Sequence, residues 1–138
     1  MTYKPDNVPQ LSPYMVVKDV RASIAFYEKA FGFKVDYISE DDKGSPRHVS
    51  MTMGDAFIMF GPEGGVDGMT KKSPISQGIQ MPISMYVYCK NTDEQYNQAI
   101  NTGAKSIMEP HDTFWGDRFC SVLDIDNYEW GFATVLKK

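Results

Sequence analysis

The chain has 138 residues, a formal net charge of −4 and 42% hydrophobic residues, enough for one ordinary domain or two small fused modules with a real core. Lys and Arg are scattered, which argues against a nucleic-acid surface, and the apolar runs are too short and too broken to cross a membrane. The polar, proline-bearing stretch Met1–Gln10 does not resemble a signal peptide, so Cys89 and Cys120 are expected as reduced thiols in a cytoplasmic protein.

Taken along the chain, residues 1–10 read as an N-terminal extension, and the first element is a strand within Ser12–Asp19, rich in aromatic and β-branched residues. Asp19 is a suitable N-cap for a helix carrying Val20, Ile24, Tyr27 and Phe31 at helical spacing, and Gly32 stops it. Three strands should follow, roughly 33–39, 47–53 and 56–61, with Gly54-Asp55 as a two-residue hairpin turn. Residues 62–81, glycine-rich and without period, read as a linker.

The pattern then repeats. Ser12-Pro-Tyr-Met-Val-Val-Lys-Asp19 aligns with Ser84-Met-Tyr-Val-Tyr-Cys-Lys-Asn91, matching Ser12 to Ser84, Tyr14 to Tyr86 and Lys18 to Lys90. Asn91 or Thr92 caps a second helix; Thr92 with Gln95 has capping-box spacing, Tyr96, Ala99 and Ile100 form the apolar stripe, and Gly103 ends it. Strands are expected near 105–109, 118–124 and 128–136, with Asp126-Asn127 as the last turn. The chain therefore reads as α+β, with βαβββ modules at 11–61 and 82–138.

Pro13-Tyr-Met-Val-Val-Lys-Asp19 and Ala25-Phe-Tyr-Glu-Lys-Ala-Phe-Gly32 resemble the opening of glyoxalase/bleomycin resistance/dioxygenase (vicinal oxygen chelate) proteins. Thr113-Phe-Trp-Gly-Asp-Arg118 and Trp130 resemble the PhnB-like branch. The resemblance spans about Leu11 to Leu136. It implies curved mixed sheets around a cleft, helices on the outer face, and a homodimer. It leaves the activity open, since the superfamily holds metal-dependent isomerases, lyases and dioxygenases as well as metal-free proteins that sequester antibiotics.

Metal-using relatives carry His or Glu on the first and last strand of each module. The matching positions here are Ser12, Met59, Ser84 and Gly131, none of them a usual ligand for a divalent cation. No metal and no other cofactor is expected. The functional reading is a small-molecule binder with an aromatic cleft; the alternative is a lyase/isomerase or dioxygenase-type enzyme with a non-standard or metal-free site.

Strand alternation supplies the candidate lining. Tyr14, Phe57, Tyr86 and Tyr88 are expected on the inner face to stack on an organic ligand, with Trp115 and Phe114 as a lid over the cleft and Arg118 to pair with the ligand's carboxylate or phosphate. Each has a plainer alternative. The tyrosines can pack against the other module, Phe114 and Trp115 can anchor a dimer interface, and Arg118 can form an internal ion pair with Asp117. No catalytic residue is identified; His48 and Glu129 are weak candidates, more simply a structural imidazole and a solvated carboxylate. His111 is expected at the surface. Cys120 is placed on the inner face, opposite in direction to Cys89, which argues against a disulfide.

Overall fold

A computed structural model describes residues 2–64 and 70–137; residues 65–69 of the segment read as a linker lie outside the described residues, as do Met1 and Lys138. The first module comprises β1 (Tyr14–Val17), α1 (Val20–Phe31), β2 (Lys34–Glu40), β3 (Pro46–Met53) and β4 (Ala56–Pro62). A short helix, α2 (Pro74–Gln77), precedes β5 (Ser84–Tyr88), α3 (Thr92–Thr102), β6 (Lys105–Asp112), β7 (Asp117–Leu123) and β8 (Glu129–Val135). The sheets have the same order, β1-β4-β3-β2 and β5-β8-β7-β6, each with one parallel pair, so the duplication holds in the fold. Among the described residues no helix is long and apolar enough to cross a membrane.

The caps follow the sequence. The Asp19 carboxylate accepts from the Ala22 N–H at 3.0 Å, and the Asn91 side chain accepts from the Glu94 N–H at 3.1 Å. Gly32 closes α1 in the left-handed conformation, φ +86°. The expected capping box at Thr92 and Gln95 does not form. Thr92 is buried and donates to the Arg118 carbonyl at 2.8 Å, while the Gln95 amide reaches the end of α1 and donates to the Ala30 carbonyl at 2.7 Å. Gln98 does the same to Lys29. The second helix thus satisfies carbonyls that α1 leaves open at its end.

One core serves both modules. Phe31 packs on Trp130 and Phe132 with ring centroids 4.8 Å apart in each case, and Tyr27 lies 5.4 Å from Trp130. Met15, Val17, Val49, Met51 and Phe60 close it from the first sheet, and Cys120 and Val122 from the second. Each large side chain buried here contributes roughly 1.5–3 kcal/mol of transfer free energy.

The last hairpin differs from its expectation. Leu123 pairs with Glu129, so Asp124–Tyr128 form a five-residue loop rather than a tight turn at Asp126-Asn127. A one-residue change in register exchanges the faces of a strand. Arg118 and Cys120 therefore lie on the helix side, not on the inner face. Cys120 pairs with Phe132 in the core, and Cys89, which packs against that core, shares its side of the sheet; both thiols are free. The argument that they point in opposite directions does not hold. The residues of β7 that face away from the helices are Asp117, Phe119, Ser121 and Leu123.

Candidate functional site

The sheet faces turned away from the helices carry most of the exposed aromatic surface. In the first module this face presents Tyr14, Tyr37 and His48, with ring centroids 5.6 Å apart for Tyr14–His48 and 6.4 Å for Tyr37–His48. Ser50 pairs with Met59 and Thr52 with Phe57, as the two-residue turn at Gly54-Asp55 requires. Phe57 is buried. Its ring and Ala56 help line a hollow of about 560 Å³ shared with Leu11, Ser12, Ile83 and Tyr86, so the starts of β1 and β5 meet there. Partial burial lowers the pKa of His48, which favours neutral imidazole.

The second module builds a more ordered face. Tyr86 and Tyr88 leave β5 on the same side, ring centroids 5.6 Å apart at 62°. Both hydroxyls donate to one oxygen of Asp117, Tyr86 at 2.5 Å and Tyr88 at 2.9 Å. The Trp115 indole N–H donates to the Tyr86 oxygen at 2.9 Å. Phe119 stacks under Tyr86 at 5.3 Å and 16°, and Trp115 meets Phe119 at 5.9 Å. Burial, then the hydrogen bond to Asp117, pushes the Tyr86 phenol up to about 12; the same hydrogen bond, followed by burial, raises Tyr88. Both are neutral donors near pH 7. A hollow of about 700 Å³ lies between Tyr86, Tyr88 and the β3–β4 turn at Met53–Ala56, with Asp55 and Lys90 on its rim.

The remaining candidates fall elsewhere. Arg118 is committed to a two-pronged ion pair with Asp93, 3.0 and 3.1 Å, and a third contact to Asp112 at 3.1 Å. It is an internal pair as the plainer reading had it, although Asp117 is not the partner. Glu129 pairs with Ser84 across β5–β8 and borders a separate hollow with Ile107, Leu123 and Asn127. His111 is exposed, its Nδ1 2.9 Å from the Glu109 carbonyl. Phe114 is 97% exposed and touches Trp115, so it is no part of the hydrogen-bonded group. Sequence reasoning missed Asp117 and Phe119; correct pairing of the last hairpin would have placed both by simple alternation.

The profile of the Glyoxalase/Bleomycin resistance protein/Dioxygenase superfamily matches residues 10–132. The chain belongs to this superfamily. An uncharacterized protein of Mycobacterium bovis is 26% identical over 132 residues, covering 94% of this chain and 86% of its own length. Among solved structures, TioX from Micromonospora sp. ML1 superposes with a TM-score of 0.72 at 19% identity, over 93% of this chain and 100% of that one. A mutant of the fosfomycin resistance protein FosX from Listeria monocytogenes, complexed with Mn(II) and 1S,2S-dihydroxypropylphosphonic acid, gives 0.68 at 16%, covering 91% and 90%. A PhnB protein from Bacillus cereus gives 0.65 at 15%, over 92% and 100%. At these identities the structures share the fold.

The superfamily's metal positions carry side chains of the wrong chemistry for a divalent cation. Ser12 and Ser84 offer neutral hydroxyls, Met59 a thioether and Gly131 nothing, so no imidazole, carboxylate or thiolate occupies any of the four. Among the described residues no group of three or more His, Cys, Asp or Glu converges anywhere. Space is filled as well as chemistry absent. A Cβ added at Gly131 would stand 2.6 Å from the Phe119 ring, so the strand position that holds a ligand in metal-using relatives is covered by an aromatic side chain. In the first module the matching position is Met59; two residues further along β4, a Cβ at Gly61 would meet the Tyr14 hydroxyl at 2.6 Å. These residues do not fit a divalent cation.

Proposed function

We propose that this superfamily member is a cytoplasmic, homodimeric binder of an organic small molecule, held on the aromatic inner faces without a divalent metal. The observation that carries the reading is the Tyr86–Tyr88–Asp117–Trp115 group beside a Gly131 covered by Phe119. Hydrogen bonds fix the aromatic rings in place, and nothing at the metal position can polarise a substrate oxygen. Rigid aromatic walls with a few oriented polar groups suit a planar or amphipathic ligand. Tyr14, Phe57, Tyr86, Tyr88 and Trp115 are the proposed contacts; Arg118, spent on Asp93 and Asp112, is not among them.

Dimer formation is supported by the apolar surface left exposed beside those contacts, including Tyr37, Met108 and Phe114. Two free thiols accord with a reducing compartment.

The test is a thermal-shift screen of aromatic and amphipathic compounds on protein purified without chelators, with metal content and solution mass measured on the same sample. Stabilisation by a compound class, metal far below one equivalent and a dimer mass are expected. Stoichiometric metal, or no stabilisation by any compound, overturns the reading.

A further inference from the structure

Asp117 is 3% exposed, yet among the described residues no cation pairs with it. Among the described residues its neighbour Arg118 points to the other side of the sheet and is held by two other carboxylates. One carboxylate oxygen takes both tyrosine hydroxyls; the other receives no hydrogen bond from any described residue. The carboxylate thus sits at the hydroxyl edge of two rings that remain in contact with solvent, as does the indole bonded to one of them: Tyr86 is 45% exposed, Tyr88 64% and Trp115 50%. Tyr86 and Tyr88 meet at 62°, so together they form a corner rather than a flat wall. The faces of such rings carry partial negative charge and attract cations, Trp most strongly. The Tyr88 phenol, which donates inward and accepts from no described residue, also leaves its oxygen lone pairs for a ligand's N–H groups, whereas the Tyr86 oxygen already accepts from Trp115.

We infer that the corner formed by Tyr86 and Tyr88, with Trp115 and Asp117 at its hydroxyl edge, is a subsite for an organic cation, a quaternary or protonated amine on the ligand. The inference rests on the reading of this face as a ligand surface and names the charge of what it holds. An anionic group is disfavoured by the carboxylate, and a neutral one gains only ring contact.

The experiment titrates the intact protein with benzyltrimethylammonium, benzyl alcohol and phenylacetate, which share a benzyl group and differ in charge. The chain has two tryptophans, Trp115 at the edge of the corner and Trp130 in the core. Their indole N–H signals in ¹H–¹⁵N spectra therefore act as reporter and internal control. The cation is expected to move the Trp115 signal, leave the Trp130 signal in place, and bind roughly tenfold tighter than the alcohol, the scale of a partly desolvated cation–ring contact. Asp117→Asn should bring the cation down to the alcohol's affinity while leaving the alcohol unchanged. Where that variant fails to fold, Tyr88→Leu removes one exposed wall and should weaken the cation severalfold with the Trp130 signal unmoved. Equal affinity for cation and alcohol, or tighter binding of phenylacetate, overturns the cation subsite and leaves the organic-ligand reading standing. Absence of binding by all three compounds counts against both.

Discussion

The hairpins that end the two modules descend from one pattern and do different work. In the first, Gly54-Asp55 turns the chain in two residues at the exposed tip of β3–β4, and no described residue of another element is hydrogen-bonded to it. In the second, Asp124–Tyr128 is folded inward. Asp124 accepts from the N–H groups of Asp126 and Tyr128, both at 2.9 Å, from the Tyr27 hydroxyl at 2.6 Å and from the Trp130 indole at 2.9 Å. Asp126 accepts from the Lys18 N–H at 2.9 Å and the Ser23 hydroxyl at 3.2 Å, and the Tyr128 hydroxyl bridges the Val16 N–H and carbonyl. A duplicated unit has kept one turn local and made the other a joint between modules.

The sharpest way to break this contrast is Asp124→Ala, which leaves the buried Tyr27 hydroxyl and Trp130 indole without an acceptor. It should cost about 3–5 kcal/mol in chemical denaturation, whereas Asp55→Ala in the first hairpin should stay within about 0.5 kcal/mol.

The same loop should show in the pH dependence. Burial pushes Asp124 up to about 6 against the pull of its four donors. A carboxyl whose folded pKa exceeds its unfolded value favours folding below that unfolded value and loses the contribution as pH rises through 6. Between about pH 4 and 7 the wild type should therefore lose stability, relative to the slope of Asp124→Asn, by on the order of 2–3 kcal/mol. Parallel slopes in denaturant titrations across that range would contradict it.

Gly131→Ala sets a methyl group against the Phe119 ring and should cost about 1–3 kcal/mol by overpacking. Gly131→Glu combined with Ser84→His, which installs metal-type side chains, should still give no stoichiometric zinc or manganese by elemental analysis while Phe119 is present. The smallest effect belongs to Arg118→Ala, since its ion pairs with Asp93 and Asp112 are well exposed. A loss of about 0–1 kcal/mol is expected, with ligand affinity in the thermal-shift screen unchanged.

Much of the fold could be read from local chemistry. Asp19, Gly32, Asn91 and Gly103 mark both helices by their caps, and Gly54-Asp55 fixes the β3–β4 register because a two-residue turn permits one pairing. The β7–β8 register escaped because it is set by the Asp124 carboxylate gathering N–H groups and a phenol from a distant helix, an arrangement with no local signature. That single slip carried Arg118 and Cys120 into the wrong face and kept Asp117 and Phe119 out of view. Tyr14, Tyr86 and Tyr88 were placed correctly because β1 and β5 each keep a plain alternation. The four-residue helix α2 is too short to show a period.

The Tyr128 bridge has a consequence for assembly. β1 is hydrogen-bonded to β4 alone, and its outward backbone at Val16 is filled by a side chain from the other module, with Lys18 plugged by Asp126. The outward backbone of β5 at Tyr86 and Tyr88 has no such plug among the described residues. A further strand laid along the β1 edge would therefore find the Val16 N–H and carbonyl and the Lys18 N–H already taken.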